Sequence, residues 1–555
     1  MARKRIKDIL KEVGLEEADR RLQEQNREIE RLKHFESRVN ESRPERLGRA
    51  LQDNRNIWLQ NYTGSLRART IYIDDPIYRQ VLIDREIAPI FQHPIVQRLA
   101  HIKQLSFSYL TFPAATHSRL SHSLGVCKNA ELALTRILQK GLLWTAEGIK
   151  KIDLTEEQKR KLIVKAKVAG LLHDLGHGPF GHGLDQYVTA MTDEPSPDKF
   201  YASAYVSKYL ADTINSCGID VNEILAILDS KRRSELDGYD TLVSNLIDSP
   251  LDVDRMDYLV RDAHMTGLSI GTVNIHALIE RMVPFQGSIQ TGGVVKNQVI
   301  LVFEPSATPY ITHLLYARDS MYLNCYEHPG KVVAEKMLTR AVDQFSQKNN
   351  NMTIDDLVLL TDEELLKVLM EFSDSKDISY KYAYALMRNI PFEEVFAICP
   401  KKRAAYETKK DAQRKEGKEI AREQEDVPPK PAERIENWEA DSLNYKDRNL
   451  ITPGSWESKI ATQAGLEEAD RWKVVVTVPS AASFEPKFDE IKILAHEDDK
   501  YSYRKLDVMT GFWEGVLKHL AVERYIIRVF ASSDLPAERI TQIQQAASEL
   551  LIEPE

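Results

Sequence analysis

His173 and Asp174 are adjacent in the segment VAGLLHDLGHGPFGHGLD, and their side chains could bind one metal ion together. Two more histidines, His177 and His182, follow in the same segment. An imidazole nitrogen and a carboxylate oxygen side by side are ordinary ligands for a divalent metal. An unpaired buried carboxylate would instead carry a heavy desolvation cost. A His-Asp pair alone is more often a cap or a core pair, so a metal site needs further ligands from elsewhere in the chain.

The element that carries the pair is predicted to be a buried helix that begins near Lys161. We expect it to continue to His177, where Gly178 and Pro179 would end it. The histidines would then lie at a helix end that opens into a loop.

A second predicted helix carries Arg119 and His122, three residues apart and therefore on one face. Thr116 or Ser118 could cap it. Taken alone, this pair is typical of a core histidine beside a surface arginine.

A third predicted helix lies in LDVDRMDYLVRDAHMTG, where Asp254, Tyr258 and Asp262 fall at i, i+4 and i+8 between apolar flanks. Asp257 and Arg261 offer an i, i+4 salt bridge that explains part of the charge. The acidic stripe is tolerable beside apolar packing if it faces a metal or a polar pocket.

The three segments together resemble a known family. His122 in RLSHSLG, His173-Asp174 in HDLGHGPFGH and Asp254 in DVDRMDY form an ordered set similar to the signature of the HD-domain metal-dependent phosphohydrolases. Within that superfamily, FPAATHSRLSHSLG, LLHDLGHGPFGH and LDVDRMDYLVRDAH most resemble the deoxynucleoside triphosphate triphosphohydrolases, which include the vertebrate enzyme with a sterile-alpha-motif domain. The resemblance covers about residues 70 to 345.

The resemblance implies a metal site and an activity. His122, His173, Asp174 and Asp254 would coordinate a divalent ion, and such an ion polarises a phosphoryl oxygen or lowers the pKa of a bound water. This donor set suits Mn²⁺, Fe²⁺, Ni²⁺, Zn²⁺ or, less well, Mg²⁺. In the family, attack on the α-phosphorus of a deoxynucleoside triphosphate (dNTP) releases a deoxynucleoside and tripolyphosphate.

The resemblance also implies catalytic and substrate-binding residues. His177 matches a histidine near the α-phosphorus, Asp174 would also orient the water, and His182 matches a phosphate-contacting position. Arg119 and Arg255 match cationic positions that hold the phosphates in the family, since the charge of a triphosphate requires cationic partners. The remaining matches are sugar-contacting positions or lie on a downstream helix that faces the substrate: Gln104, Tyr258, Asp262 and Tyr326.

The chain departs from the family pattern at several positions. No histidine lies between His182 and His264, so a further histidine that many members use as leaving-group acid has no counterpart. Gln92 and Ala100 replace an acidic residue and an arginine of the nucleotide-activated vertebrate enzyme, so activation by a guanine nucleotide is not predicted. Leu323 and Asn324 stand where arginines often do, which weakens the prediction of a full triphosphate as substrate.

Length and composition set outer limits. The chain has 555 residues, 43% of them hydrophobic, and a net charge of −9, which gives no overall basic signature for nucleic acid. Four scattered cysteines predict neither a disulfide framework nor a thiolate zinc site. With no signal peptide and no long apolar run, we expect a cytoplasmic protein without a membrane segment.

The predicted fold is mainly α: an HD-domain helical bundle with short β-hairpins, followed by a small C-terminal α+β module. We divide the chain into a charged helical extension (1–55), the HD core (56–400), a charged and proline-rich linker or exposed helix (401–455) and the α+β module (456–555). A hairpin is predicted over Thr70–Ile83 and a strand over Gly292–Phe303. Further strands are predicted near residues 472–478, 491–495 and 525–530, with helices near 508–520 and 537–551.

Two classes of function stay open. The first is an enzyme that hydrolyses a deoxynucleotide, with a nucleotidase, phosphodiesterase or nuclease as the alternative within the same metal chemistry. The second is a non-catalytic nucleotide sensor or assembly protein. By analogy we expect a homo-oligomer, and single-stranded nucleic acid stays open as a further partner. Antiviral defence through nucleotide depletion is a role that the resemblance allows.

Overall fold

A computed structural model describes residues 43–59, 69–349, 352–398, 456–477, 490–506 and 526–552, apart from short gaps at 193, 237, 272, 292–293 and 498–499. Three predictions therefore lie outside the described residues: the helical extension before residue 43, the linker at 401–455 and the helix near 508–520. Among the described helices, none has both the length and the apolar character needed to cross a membrane.

Helices dominate the described part of the chain, which confirms the predicted helical core. In chain order they are α1 Arg43–Leu59, α2 Ala88–Phe91, α3 Pro94–Gln97, α4 Arg119–Lys140, α5 Glu156–Leu172, α6 His182–Thr192, α7 Pro197–Tyr205, α8 Ala211–Ser216, α9 Val221–Leu228, α10 Gly238–Ile247, α11 Val253–Thr266, α12 Ile275–Ile279, α13 Thr308–Met321, α14 Pro329–Lys348, α15 Ile354–Leu359, α16 Asp362–Glu371, α17 Ile378–Met387, α18 Trp456–Gln463 and α19 Ala537–Ile552.

The three helices that carry the motifs have clear local reasons to begin where they do. Ser118 caps α4 by accepting a hydrogen bond from the Ser121 amide, and Asp252 caps α11 in the same way for Arg255. At the start of α5, Thr155 and Gln158 form a capping box. The predicted cap at Ser118 is thus confirmed.

The predicted end of α5 is wrong. The helix stops at Leu172, and His173 is its C-cap residue rather than part of a helix that runs to His177. Residues 173–176 form turns instead. The motif histidines are therefore spread around a tight turn, where the side chains of His173 and His177 can approach one carboxylate from two sides.

Close packing brings α4 against both α5 and α11. Gly125 on α4 makes the second approach possible, because a Cβ there would lie 1.8 Å from Oδ1 of Asp257 on α11. Any larger residue would force α11 away from α4. The apolar sides of these helices join a single large core cluster that includes Val126, Leu171 and Leu259, all fully buried.

The strands form three sheets rather than only short hairpins, which corrects the predicted fold. In chain order they are β1 Ile71–Asp75, β2 Arg79–Ile83, β3 Leu142–Thr145, β4 Gly148–Lys151, β5 Met282–Thr291, β6 Val294–Phe303, β7 Phe392–Ile398, β8 Val474–Thr477, β9 Lys492–Glu497, β10 Lys500–Lys505 and β11 Ile527–Ser532. The predicted hairpin β1–β2 and the predicted strands at β6, β8, β9 and β11 are confirmed, as is the helix α19.

The sheets join distant parts of the chain. The six-stranded sheet has the order β10-β9-β6-β5-β3-β4, and the three-stranded sheet has the order β7-β11-β8. Strands β9 and β10 thus extend a sheet built from residues before 304, and β11 pairs with β7 from before residue 399. Residue 456, the predicted start of a C-terminal module, does not mark a boundary between sheets.

Candidate metal centre

The side chains of the four predicted metal ligands converge from two helices, α4 and α11, and from the turn after α5. Nε2 of His122 on α4 lies 3.0 Å from Oδ1 of Asp254 on α11 and 3.8 Å from Oδ2 of Asp174. Nε2 of His173 lies 3.4 Å from Oδ1 of Asp174 and 3.8 Å from Oδ1 of Asp254. Two ligands bound to one ion at about 2.0–2.2 Å can be at most about 4.4 Å apart. Ligand atoms of His122, His173 and Asp174 all lie within 4.8 Å of one another, which suits a single shared cation. Asp254 lies outside that set, although its Oδ1 contacts both histidines.

The hydrogen bonds on the far side of each imidazole fix which nitrogen faces that cation. Nδ1 of His122 lies 2.8 Å from Oδ2 of Asp257, and Nδ1 of His173 lies 2.9 Å from the Gly170 carbonyl oxygen. Both contacts require Nδ1–H as donor, so in each imidazole Nε2 is the nitrogen that a metal would bind in place of a proton. Nε2 of His173 is buried and has no hydrogen-bond partner within the described residues. A buried ring nitrogen without a partner fits a metal ion, so the residues present suit a divalent cation.

Without a cation, the cluster balances its own charges. Burial would lower the pKa of His122, but hydrogen bonds to Asp254 and Asp257 outweigh it and raise the pKa to about 10. Burial would raise the pKa of Asp254, and the His122 contact instead holds it below its usual range. The same balance, with His173 and Arg119 as the charges, keeps the pKa of Asp174 well below its usual range. The carboxylates are thus ionised and ready to accept a metal.

Asp174 also joins the cluster to two of the predicted catalytic and phosphate-binding residues. Its Oδ2 accepts a hydrogen bond from Nη1 of Arg119 at 2.8 Å, and its Oδ1 lies 3.2 Å from Nε2 of His177. Arg119 and His177 are both almost fully buried. One carboxylate therefore contacts a metal-facing imidazole, a second imidazole and a guanidinium at once.

His182 takes a more peripheral place. Its ring lies 4.8 Å from that of His177, centroid to centroid, but its side chain is 69% exposed and Nδ1 pairs with Asp185 at 2.7 Å. Ligand atoms of His177, His182 and Asp185 lie within 4.8 Å of one another. The structure thus places His182 at the mouth of the site and beside His177.

The residues matched to sugar contacts form a second group beside the metal ligands. The Tyr258 ring lies 6.3 Å from that of His122 and 6.4 Å from that of Tyr326. Tyr326 donates from Oη to Oδ2 of Asp262 at 2.7 Å, and His117 holds Oδ1 of the same carboxylate at 2.8 Å. Burial and the neighbouring Asp262 raise the pKa of Tyr326 well above its usual value, so it stays a donor.

Two predicted substrate-binding residues, Arg255 and Gln104, differ in whether their side chains already have hydrogen-bond partners. Arg255 does not contact the ligand cluster: its Nη1 donates to the Ser249 carbonyl and lies 3.5 Å from Asp252 Oδ2. Gln104 has a buried Oε1 without a hydrogen-bond partner in the described part of the chain, while its backbone amide donates to the His117 carbonyl at 2.9 Å. Gln104 is therefore available to a ligand, and Arg255 has to leave its present partners to reach one.

Unpaired buried polar atoms gather around this site. Besides the atoms of His173 and Gln104, they include Nε and Nη2 of Arg119, Nδ1 of His177 and Nδ1 of His117. Buried polar atoms in folded proteins almost always have partners, so such a group marks a place where ligand or solvent supplies them. The unpaired donors on Arg119 suit an anion.

Three residues of the site were missed by the sequence prediction. Asp257 was interpreted as the salt-bridge partner of Arg261, and it does bind that guanidinium, but it also orients His122. His117 lies inside the quoted motif and was assigned no role. Asp362 lies far from all three motifs in the sequence, but its Oδ1 accepts a hydrogen bond from the Phe180 amide. This contact depends on tertiary packing that no local pattern reports.

A comparison with protein families places the site in a known domain. The family model of the HD domain matches residues 119–262, the span from Arg119 to Asp262. This match includes the four predicted ligands, His177 and Asp257.

Curated relatives carry related sequences. An uncharacterised protein of Mycoplasma genitalium is 30% identical over 48% of this chain and 58% of its own length. The uncharacterised YwfO of Bacillus subtilis is 27% identical over 55% of this chain and 66% of its own length. The human deoxynucleoside triphosphate triphosphohydrolase SAMHD1 is 27% identical over 58% of this chain and 54% of its own length. This chain therefore spans a little over half to about two thirds of these relatives.

A solved structure shares the fold. The crystal structure of a hypothetical protein from Aquifex aeolicus superposes with a TM-score of 0.54 at 18% identity, covering 85% of this chain and all of that one. At this identity the likeness concerns the fold alone. Together with the match at residues 119–262, these similarities confirm the resemblance seen in the motifs: the chain contains an HD domain and is similar to deoxynucleoside triphosphate triphosphohydrolases such as human SAMHD1.

Proposed function

We propose that this protein hydrolyses dNTPs to a deoxynucleoside and tripolyphosphate in a metal-dependent reaction. The observation that carries the proposal is the position of Asp174, whose carboxylate contacts His173 of the ligand cluster, His177 and Arg119. A metal-facing group, a proton carrier and an anion-binding group thus meet at one side chain. Phosphoryl transfer needs these three functions in close reach.

The metal site is part of the proposal. His122, His173, Asp174 and Asp254 would hold a divalent cation, which supplies an activated water and charge stabilisation at the phosphoryl group. Mn²⁺, Fe²⁺, Ni²⁺, Zn²⁺ and Mg²⁺ all accept such a donor set. Asp257 and the Gly170 carbonyl keep both imidazoles in the required tautomer.

Arg119 would bind the phosphates. Its guanidinium is held by Asp174 through Nη1, whereas Nε and Nη2 are buried and have no hydrogen-bond partner among the residues that the structure describes. A phosphate oxygen pair would satisfy both free donors in the bidentate geometry that arginine prefers. The carboxylate of Asp174 keeps the arginine in place before the substrate arrives.

His177 would protonate the leaving group. In the proposed step, the attacking water gives up one proton to solvent, and its oxygen bonds to the α-phosphorus while the bond from phosphorus to the 5′ oxygen breaks. The 5′ alkoxide needs a proton to depart, and His177 would deliver it from Nδ1 while Nε2–H stays on Asp174. His182 at the mouth of the site would contact the phosphates, and its exposure allows it to move.

The sugar would lie against Tyr258, with Asp262 as acceptor for the 3′-hydroxyl and Gln104 as a further polar contact. Both oxygens of Asp262 already accept one hydrogen bond, from Tyr326 and His117, and each retains a second lone pair. A tyrosine ring under the ribose leaves little room for a 2′-hydroxyl, which favours deoxynucleotides.

Product analysis tests the proposal. Purified protein is incubated with each dNTP, each NTP and single-stranded DNA, with Mn²⁺ or Mg²⁺, and the products are resolved by anion exchange. We expect equimolar deoxynucleoside and tripolyphosphate from dNTPs, lost in His173→Ala and Asp174→Ala. Orthophosphate or nucleotide fragments instead would indicate a nucleotidase or nuclease. Binding without turnover in every condition would overturn the enzymatic proposal in favour of a nucleotide sensor.

A further inference from the structure

The loop that links His177 to His182 has a strained backbone. Phe180 is not a glycine, yet its φ is +57°, in the left-handed region that side chains disfavour. Its ring stacks on that of Phe107 with centroids 4.2 Å apart. Something outside the loop must hold this conformation, because the loop would otherwise relax to a commoner one. We call residues 177–181 the HD loop.

Asp362, the first residue of α16, is one of the groups that hold the HD loop. Its Oδ1 accepts a hydrogen bond from the Phe180 amide at 2.6 Å, and its Oδ2 accepts one from the Lys103 amide at 3.0 Å. The side chain is almost fully buried. Lys103 immediately precedes Gln104, so one carboxylate ties the HD loop to the segment that carries a proposed sugar contact.

Arg98 holds the other end of the HD loop. Its Nη2 donates to the His177 carbonyl at 2.7 Å, and its Nε donates to the Leu359 carbonyl at 2.9 Å. The same guanidinium also binds the carbonyls of Val358 and Leu360. Gly178 lies against this segment too, because a Cβ there would be 3.3 Å from Cα of Val358. The turn between α15 and α16 therefore forms the back wall of the HD loop.

We propose that Asp362 and Arg98 are positioning residues that set the place of His177 relative to Asp174 and, through Lys103, the place of Gln104. This inference rests on the proposed function of His177. Neither residue contacts the metal ligands, so their removal changes the position of the proton donor and not the metal site. The Asp362 carboxylate accepts hydrogen bonds from two backbone amides in separate segments. A neutral side chain of the same size, asparagine, could accept only one of them, since an amide group has a single acceptor oxygen.

The experiment compares two isosteric substitutions of buried aspartates in neighbouring helices. Asp362→Asn leaves one acceptor oxygen, so it loses either the bond from the Phe180 amide or the bond from the Lys103 amide. Asp356→Asn is the matched control, because Asp356 on α15 is equally buried but accepts from Thr353 and pairs with Arg55, away from the HD loop. Arg98→Lys is a second test, since lysine loses the Nε–H that the Leu359 carbonyl accepts and ends one atom short of the Nη2 position that serves the His177 carbonyl.

Hydrogen exchange measures how well the amides of the HD loop are protected, and this measurement does not depend on activity. We expect the Phe180 amide or the Lys103 amide to exchange at least tenfold faster in Asp362→Asn than in the wild type, and both to be unchanged in Asp356→Asn. Equal protection in the two variants would overturn the positioning role, whether or not the protein hydrolyses dNTPs.

Kinetics then separate positioning from general damage. We expect Asp362→Asn and Arg98→Lys to lower kcat for a dNTP by roughly 10–100-fold, with KM and metal content near wild type, because misplacement of about 1 Å can cost this much. With 4-nitrophenyl triphosphate, whose phenolate departs without a proton, the loss should shrink to a few-fold. An equal loss with both substrates, or none with either, would overturn the inference. A wild type inactive on every dNTP would instead overturn the proposed function.

Discussion

Nδ1 of His122 lies 2.8 Å from Oδ2 of Asp257, and this contact between α4 and α11 fixes the imidazole that faces Asp254 and Asp174. Asp257 is fully buried and is itself held by Arg261, which in turn pairs with Asp75 at the end of β1. The orientation of a metal-facing histidine thus depends on a chain of buried charges that begins in the first hairpin.

The first prediction concerns the series of buried charges that orients His122. Asp257→Asn should lower the affinity for the metal by roughly 10–100-fold, because groups that orient a ligating histidine typically have this effect. The measurement is metal content after dialysis against graded chelator. Asp262→Asn, a buried carboxylate on the same helix that binds His117 and Tyr326 instead, should keep wild-type metal content. Similar metal loss in both variants would contradict a specific role for Asp257.

The second prediction separates metal binding from proton transfer. His177→Gln should keep the metal but lower kcat for a dNTP by roughly 10²–10⁴-fold, the usual contribution of a positioned acid or base. His173→Gln should lose both the metal and activity, because its Nε2 faces the ligand cluster. Metal analysis and initial rates on the same preparations check this. The assignment fails if His177→Gln turns over at the wild-type rate.

Sequence patterns were sufficient to find the four proposed ligands because each lies in a short motif of fixed spacing. His122, His173-Asp174 and Asp254 could each be placed on or beside a helix from local signals alone. Gly178 and Pro179 also suggested that α5 would continue to His177. This prediction is wrong, because such residues mark a helix end only approximately. The turn at residues 173–176 begins five residues earlier than those signals indicate.

Contacts between distant segments could not be predicted from one sequence. Asp257 and Arg261 satisfy the i, i+4 pattern, and that local explanation concealed the bond to His122. Phe180 and Asp362 are 182 residues apart, and nothing in either neighbourhood specifies their pairing. The same holds for β9, whose pairing with β6 places a C-terminal strand in a sheet with strands from residues 142–303.

The third prediction concerns sugar recognition. Tyr326→Phe removes the hydrogen bond to Asp262, so the carboxylate is held by His117 alone. We expect KM for a dNTP to rise roughly tenfold, the low end of the about 1.5–3 kcal/mol that hydrogen bonds to charged groups contribute, since this bond positions the carboxylate and does not itself contact the substrate. A dideoxynucleotide has no 3′-hydroxyl for Asp262 to accept, so its KM should change little. Parallel increases for both substrates would show that Asp262 does not contact that hydroxyl.

The fourth prediction is a pH dependence of stability that arises at His93. Its Nδ1 accepts a hydrogen bond from the Ile95 amide at the start of α3, and burial lowers its pKa from 6.5 to about 4. Between these values the unfolded chain binds a proton that the folded chain does not, so the free energy of unfolding falls as pH drops from 6.5 towards 4. The contribution is about 3 kcal/mol in full, at about 1.4 kcal/mol per pKa unit.

The matched variant for that prediction is His93→Asn, which can still cap α3 but does not titrate. Urea unfolding at pH 7.0, 5.5 and 4.5 gives the slope for each protein, and the difference between the two slopes isolates His93. The variant should lose less stability on acidification than the wild type. Identical slopes would show that His93 is not held neutral in the folded protein.

The central claim, attack of water on the α-phosphorus, is tested most directly by hydrolysis of a dNTP in H₂¹⁸O with Mn²⁺, followed by mass spectrometry of both products. The account predicts one ¹⁸O atom in the tripolyphosphate and none in the deoxynucleoside. Label in the 5′-hydroxyl of the deoxynucleoside, or release of labelled orthophosphate or pyrophosphate with a nucleotide as co-product, would contradict it.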